Sequence, residues 1–228
     1  MDSQPVVVGV GEFSQRPGAD PVLGPVELMA EAARRAEVDS GARRSLLGAV
    51  EVVAVANILS WRHPDPGAAL AEHLRLSGVR RTLLSTISGT SPQFLLNELA
   101  AEVAAGRLSA ALVTGCEAMY TRRPGAASVR WAEPPWEDAG APAEMVGDPT
   151  AGSSAFEATH QAAIPAQVYP LFETALRAAS GRGVEAHQRR VAELWAGFSA
   201  VAASRPEAWT RRRFTPEEIL GGEGNRMV

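Results

Sequence analysis

The sequence contains no lysine, and apart from four histidines every basic side chain is an arginine. Schiff-base and pyridoxal-phosphate chemistry both need a lysine amine, so neither is open to this chain. A P-loop is excluded for the same reason, because its lysine reaches the nucleotide phosphates.

Cysteine is almost as scarce. The single Cys116 excludes an internal disulfide and supplies no cluster of metal ligands. This residue closes an apolar segment, where a small buried cysteine is common. We therefore expect it to be buried rather than to act as a displaced nucleophile.

Long apolar runs are also missing. No stretch approaches the roughly 20 residues needed to cross a bilayer, and the first residues lack the basic and apolar regions of a signal peptide. The formal net charge of −4 gives no reason to expect nucleic acid or an anionic membrane as a partner. We expect a cytoplasmic protein, and its 46% of hydrophobic residues suffice for a buried core.

The first half of the 228-residue chain alternates segments of strand and helix type. Strands are predicted at residues 5–10, 50–56, 81–87 and 109–114. Helices are predicted at residues 25–38, 66–76 and 91–105, the last with Ser91 as N-cap and Gly106 after its end. This alternation favours right-handed crossovers and a parallel sheet covered on both faces.

The alternation stops at Tyr120. From there to about Gly152 the chain is rich in Pro, Gly and Ala, contains Trp131 and Trp136, and shows no period, which predicts an irregular excursion. Two helices are predicted next, at residues 165–179 and 185–204, and a short turn at 216–220. We therefore divide the chain into an α/β domain, residues 1–119, and a helical domain, residues 120–228.

Three ordered motifs resemble those of the thiolases, which carry Cys-x-Ser-Gly at a strand-to-helix turn, then a helix ending in Gly, then a strand closing in Gly-Gly-x-Glu-Ser-Met. This chain has Thr86-Ile87-Ser88-Gly89, then the predicted helix 91–105, then Gly115-Cys116-Glu117-Ala118-Met119. Residues 158–161, 165–173 and 225–228 resemble the loop domain of a thiolase-like subgroup close to the sterol-carrier-protein thiolases. The resemblance covers nearly the whole chain.

The resemblance implies an α/β fold: a thiolase-like N-terminal half, with a mostly parallel sheet and helices on both faces, and an inserted helical loop domain. It implies the strand order 3-2-1-4-5, with the fifth strand missing here. It also implies homodimers that pair through residues 81–87, or a heteromer with a separate C-terminal thiolase half that supplies a strand.

The chemistry implied by the resemblance is incomplete. Thr86 occupies the position of the thiolase nucleophile, which is a cysteine. A threonine hydroxyl lacks the acidity of a thiol and needs a neighbouring base, and none occurs at a recognisable spacing. Thiolases take their catalytic histidine, oxyanion motif and second cysteine from a C-terminal half that this chain lacks. We expect the isolated chain to be inactive as an acyltransferase.

Several residues are candidates for binding a coenzyme A thioester, the ligand that the resemblance implies. Thr86 and Ser85 could hydrogen-bond a substrate carbonyl at a helix N-terminus, or could be simple turn residues. Ser88 and Gly89 follow them in the same motif. His160 could face an acyl-CoA pocket, or could be a structural or exposed histidine.

The only compact basic cluster is Arg211, Arg212 and Arg213. Arginine binds phosphate in a planar, bidentate way, so this cluster could hold the phosphates of coenzyme A, or could be a solvated face. The remaining histidines, His63, His73 and His187, are expected in polar surroundings without a role. No metal site and no covalently bound cofactor are predicted.

The leading functional hypothesis is an acyl-CoA-binding, thiolase-like protein related to acetyl-CoA acetyltransferases of lipid or sterol metabolism. A second hypothesis is a non-catalytic interaction subunit whose acyl-CoA site has decayed. A third is a truncated product that needs a complementary C-terminal-half chain.

Overall fold

The computed structural model describes residues 4–19, 21–122, 141–149 and 152–222. The chain divides into two compact units, Met1–Pro149 and Thr150–Val228. The first unit has an α/β structure, and the described part of the second is helical.

Four short strands form one sheet in the first unit: β1 Val52–Val55, β2 Arg81–Ser85, β3 Ala111–Thr114 and β4 Glu144–Val146. Their order across the sheet is β3-β1-β2-β4, and every pairing is parallel. Parallel neighbours need crossover connections, and helices supply them between β1, β2 and β3. The predicted parallel sheet is confirmed.

The helices of this unit are α1 Pro25–Asp39, α2 Pro66–Leu74, α3 Ser91–Ala104 and the short α4 Met119–Arg122. They cover both faces of the sheet, as the side chains of β1 demonstrate. Val53 and Val55 belong to a buried cluster with residues of α1 and α2, whereas Val52 and Ala54 belong to a second cluster with residues of α3. Alternate side chains of a strand point to opposite faces, so α3 lies opposite α1 and α2.

The start of α3 differs from the prediction. Ser91 was expected as the N-cap, but Thr90 is the N-cap and Ser91 is the first helical residue. The Ser91 hydroxyl donates instead to the carbonyl of Thr86, at 2.6 Å. Ser91 therefore ties the helix to the end of β2. Gly106, with φ +68°, follows α3 as predicted.

Residues 5–10 do not form the predicted strand. They are extended but pair with no strand in the described chain, and Val6, Val7, Val8 and Val10 are all exposed. The segment lies against α1 instead: a Cβ on Gly9 would clash with the Ala36 carbonyl oxygen, and the Val10 backbone N–H donates to the Asp39 carboxylate at 2.9 Å. The implied order 3-2-1-4-5 counts residues 5–10 as strand 1 and places them between the strands predicted at 50–56 and 109–114. This order is wrong for the described chain, because β3 pairs directly with β1 and no strand separates them. A β-branched run favours a strand but cannot by itself supply a partner.

The region predicted to be irregular contributes β4, which adds to the sheet beside β2. Because of this pairing, residues 141–149 belong to the first unit. Trp131 and Trp136 lie outside the described residues.

The second unit contains α5 Ala155–Thr159, α6 Pro165–Ala179, α7 Val184–Ala203 and α8 Pro216–Gly221. The predictions for the last three were correct to within one residue at each end. Both α5 and α8 begin with a capping box, formed by Ser154 with Glu157 and by Thr215 with Glu218. Residues 225–228, which entered the family resemblance, lie outside the described residues.

One histidine of the second unit departs from expectation. His187 was expected in polar surroundings, but it is only 8% exposed. Its Nε2 lies 2.6 Å from Oε1 of Glu173, which joins α7 to α6. The other nitrogen, Nδ1, is buried without a hydrogen-bond partner among the described residues.

Candidate functional site

The candidate site lies where the carboxyl ends of β1 and β2 meet. The chain leaves β1 toward α2 on one face of the sheet and leaves β2 toward α3 on the other. In open α/β sheets, adjacent strands whose connections diverge in this way leave a crevice at their carboxyl ends, where ligands bind. Thr86, Ser88 and Gly89 all lie in the loop that follows β2, so the structure brings these three predicted residues together.

Hydrogen bonds fix the entrance to this loop. The buried Ser85 hydroxyl accepts from the Asn57 backbone N–H at 3.0 Å and donates to the Thr86 carbonyl at 2.9 Å. The Thr86 backbone N–H donates to the Val146 carbonyl at 2.9 Å. Three segments therefore hold the backbone of Thr86: the loop after β1, the start of α3 and β4.

The side chain of Thr86 is half-buried beside Gly147. A Cβ added at Gly147 would lie 2.8 Å from the Thr86 hydroxyl oxygen, and Gly147 has a φ of +95°. Both the close approach and the backbone conformation require glycine here. Within the described ranges no imidazole or carboxylate hydrogen-bonds to this hydroxyl, so nothing there activates it as a nucleophile.

The rest of the loop is open. Ser88 and Gly89 are exposed, and the Ser88 hydroxyl lies 3.0 Å from that of Thr90. A Cβ on Gly89 would meet no atom within 4 Å. No side chain caps the N-terminus of α3. In the first turn of this 14-residue helix the Ser91 N–H already donates to the Ser88 carbonyl at 3.2 Å and Pro92 has no N–H. The partial positive charge of the helix N-terminus therefore lies beside an accessible backbone without a full set of free donors.

The loops after β1 and β3 are joined by Glu117, which was not among the predicted site residues. Its carboxylate accepts from the backbone N–H groups of Leu59, at 2.7 Å, and Ser60, at 3.0 Å. The buried Ser60 hydroxyl in turn accepts from the Ala118 N–H at 2.8 Å. Glu117 thus joins the loops that follow β1 and β3 at the carboxyl edge of the sheet. It occupies the Glu position of the motif Gly-x-Glu, and that motif is the only local signal of its importance.

Cys116 is half-buried, and its thiol lies 3.5 Å from the Pro25 carbonyl oxygen. Burial, and secondarily the negative charge of Glu117, raise the pKa of this thiol to about 12. At neutral pH it is a thiol and not a thiolate, which agrees with the predicted structural role.

A second loop residue, His63, stacks on Trp61 with ring centroids 4.6 Å apart. Its Nδ1 accepts from the Asp65 backbone N–H at 3.1 Å. Burial lowers the pKa of His63, so the neutral ring carries its proton on Nε2 and offers a donor there.

The other predicted site residues belong to the second unit. His160 ends α5, where its ring meets that of Phe156 edge-on at 4.6 Å. Arg212 is engaged, because its guanidinium pairs with Glu218 at 2.6 Å and lies over the Phe214 ring at 4.6 Å. Arg211 and Arg213 are exposed and have no ion-pair partner in the described part of the chain. Within this three-residue cluster, Arg211 and Arg213 are therefore the side chains not engaged by another described residue.

Among the described residues, no group of His, Cys, Asp and Glu side chains has an arrangement that holds a metal ion. In the same part of the chain, none of the helices combines the length and apolar character of a membrane span.

The architecture is that of a thiolase-like α/β protein. The chain is similar to a monomeric SCP2-thiolase-like protein type 1 from Mycobacterium smegmatis, with a TM-score of 0.68 and 28% sequence identity. The match covers 96% of this chain but only 39% of that protein's chain. No protein-family model matches the sequence, and no curated protein does.

Proposed function

We propose that this chain binds coenzyme A thioesters as part of a thiolase-like protein of lipid metabolism, and that it does not itself perform acyl transfer. The observation that supports this proposal is the exposed loop Ser88–Gly89 ahead of the uncapped N-terminus of α3, at the carboxyl edge of the sheet. A thioester carbonyl carries partial negative charge on its oxygen, which a helix N-terminus favours.

In this proposal Gly89 lets the ligand approach the backbone of the loop after β2. Because nothing lies within 4 Å of its Cβ position, no contact inside the described chain requires a glycine there. Close approach of a ligand to the backbone would supply that requirement. Thr86 positions the loop through its backbone bonds, and its hydroxyl beside Gly147 has no base to activate it.

For the coenzyme A phosphates we propose Arg211 and Arg213, which are exposed and have no ion-pair partner among the described residues. Bidentate guanidinium contacts to phosphate would make binding sensitive to salt, whereas contacts to the loop after β2 would not.

The test is isothermal titration calorimetry with coenzyme A, acetyl-CoA and a long-chain acyl-CoA. We expect Gly89→Val to weaken binding of the thioesters more than that of free coenzyme A, because the added side chain obstructs the acyl end. Gly48→Ala is the matched control, since a Cβ there makes only an ordinary contact, at 3.5 Å from the Ser45 hydroxyl. Absence of binding by the wild-type chain, or equal affinities in Gly89→Val and the control, would refute the proposal.

A second function is favoured by a different observation. The outer side of β3 pairs with no strand in the described chain, and Phe94 and Leu96 on α3 are 45% and 39% exposed. These features suit an interaction subunit that receives a strand and an apolar layer from a partner. A chain that binds no acyl-CoA but associates through α3 and β3 would support this alternative.

A further inference from the structure

The edge of β2 that faces away from β1 pairs with β4 of the same chain. Leu83, Leu84 and Ser85 pair in parallel with Glu144, Met145 and Val146. The Val146 carbonyl also accepts from the backbone N–H of Thr86, just beyond the end of β2. Thus β4 satisfies backbone groups along β2 that would otherwise remain open at a sheet edge.

An ion pair without hydrogen-bond geometry links the first residue of β4 to β2. Glu144 Oε2 lies 3.2 Å from Nε of Arg81, and the Nη1 and Nη2 groups of Arg81 donate to Glu102 on α3. The guanidinium therefore joins β4 to α3 across the end of β2. Hydrogen bonds to Glu102 raise the pKa of Arg81, so this side chain is charged at neutral pH.

The strand β4 is itself a poor template for further pairing. It has only three residues, begins with a charged residue, and is followed at once by Gly147 with a φ of +95°. Short, charged and sharply ended edge strands resist the addition of another strand. By contrast, β3 at the opposite side of the sheet is Ala111–Thr114, which contains no charged residue.

We propose that β4 is an edge cover: it prevents β2 from pairing with β2 of a second copy of this chain, and it leaves β3 as the edge to which a strand can add. The occupant excluded is a second copy, because two uncovered β2 edges are identical and can pair about a twofold axis. The dimer through residues 81–87 that the family resemblance implied would require β4 to leave. This inference does not depend on acyl-CoA binding.

The test removes the cover from the full 228-residue chain by Val146→Pro. Proline has no N–H and is poorly tolerated inside a sheet, whereas the control Val146→Ala keeps the backbone donor. The readouts are residue-resolved hydrogen exchange at the Thr86 amide, whose acceptor is the Val146 carbonyl, and light scattering over a concentration series.

In dilute Val146→Pro we expect the Thr86 amide to exchange about tenfold faster than in the wild type, the effect of losing one hydrogen bond. As the concentration rises, its protection should return together with a doubling of mass. In Val146→Ala the Thr86 amide should exchange as in the wild type, and the mass should follow that of the wild type at every concentration.

Two results would overturn the proposal. One is unchanged Thr86 protection in dilute Val146→Pro; the other is fast exchange at every concentration with no gain in mass over the wild type. If Val146→Pro does not fold, Glu144→Arg tests the proposal in its place. This change keeps every backbone N–H group of β4 and places a second positive charge beside Arg81. It should produce the same concentration-dependent protection of Thr86, and its failure to do so would equally reject the edge cover.

Discussion

The carboxylate of Glu117 accepts a hydrogen bond from the backbone N–H of Leu59 at 2.7 Å, across 58 residues of sequence. The second carboxylate oxygen accepts from Ser60, so both oxygens bind the loop that follows β1. A single side chain thus holds together the loops after β1 and β3 at the carboxyl edge of the sheet.

Removing this carboxylate should destabilise the first unit. We expect Glu117→Ala to lower the free energy of unfolding by about 1 kcal/mol, because two backbone N–H groups lose a charged acceptor. Glu117→Gln should cost less, since an amide oxygen still accepts one bond. Urea unfolding measures both, with Glu98→Ala, an exposed residue of α3 without a described partner, as control. Equal stability of Glu117→Ala and this control would contradict the role of Glu117.

The pair of Arg81 and Glu102 predicts a pH dependence of stability. Hydrogen bonds from Arg81 lower the pKa of Glu102 in the folded chain. The stabilisation is therefore complete above the unfolded-state pKa and is lost as the pH falls through the folded-state pKa. We expect Glu102→Gln to be less stable than the wild type at neutral pH, with a difference that shrinks on acidification. Urea unfolding at a series of pH values measures it, and a difference independent of pH would contradict it.

Features encoded by neighbouring residues were predictable. The helix α6 was predicted at its observed bounds, and α1 to within one residue, because an apolar period follows a proline in the first turn. The strands β1, β2 and β3 were each found within a longer prediction. The loop after β2 was also found, because its Ser88-Gly89 motif is contiguous.

Features that depend on distant partners were missed. Residues 5–10 have strand composition but no strand beside them in the described chain. The three residues of β4 are too few to show a period, and their pairing with β2 spans about 60 residues of chain. Neither Gly147 beside Thr86 nor His187 beside Glu173 leaves any local signal, because each contact exists only after the chain has folded.

The environment of Thr86 predicts an absence of thiolase chemistry. We expect the chain to catalyse no thiolysis of acetoacetyl-CoA, and Thr86→Cys alone to restore none, because one member of a catalytic unit seldom works without the others. The control is Thr86→Ala. Turnover by the wild type clearly above that of Thr86→Ala would show that the hydroxyl is activated by a group outside the described contacts.

Substitutions can distinguish the contributions of Arg211, Arg212 and Arg213 to ligand binding. We expect the double change Arg211→Ala, Arg213→Ala to weaken acyl-CoA binding by about tenfold or more, as hydrogen bonds to charged groups are lost. It should also flatten the dependence of affinity on salt. Arg212→Ala is the matched control, because that side chain is occupied by Glu218 and Phe214. The same affinity and salt slope in all three proteins would assign the cluster to a solvated face.

The uncovered side of the sheet predicts association through β3. One edge of β3 pairs with β1 and the other pairs with no strand in the described ranges. On α3, Leu95 and Leu99 are buried, whereas Phe94 and Leu96 remain largely exposed. An unpaired edge beside exposed apolar side chains favours the addition of a strand and an apolar layer from a partner. We expect the isolated chain to self-associate or to bind a chain that supplies both.

Size-exclusion chromatography with light scattering should therefore show a mass that rises with concentration, and hydrogen exchange should show protection of residues 109–114 that rises in parallel. Phe94→Arg should reduce the association, because it sets a charge in the apolar layer. Asn97→Arg adds the same charge at an exposed polar position of α3 and should reduce it less. A well-behaved monomer at all concentrations, with strong protection of both α3 and β3, would show that the described chain is already complete at this edge.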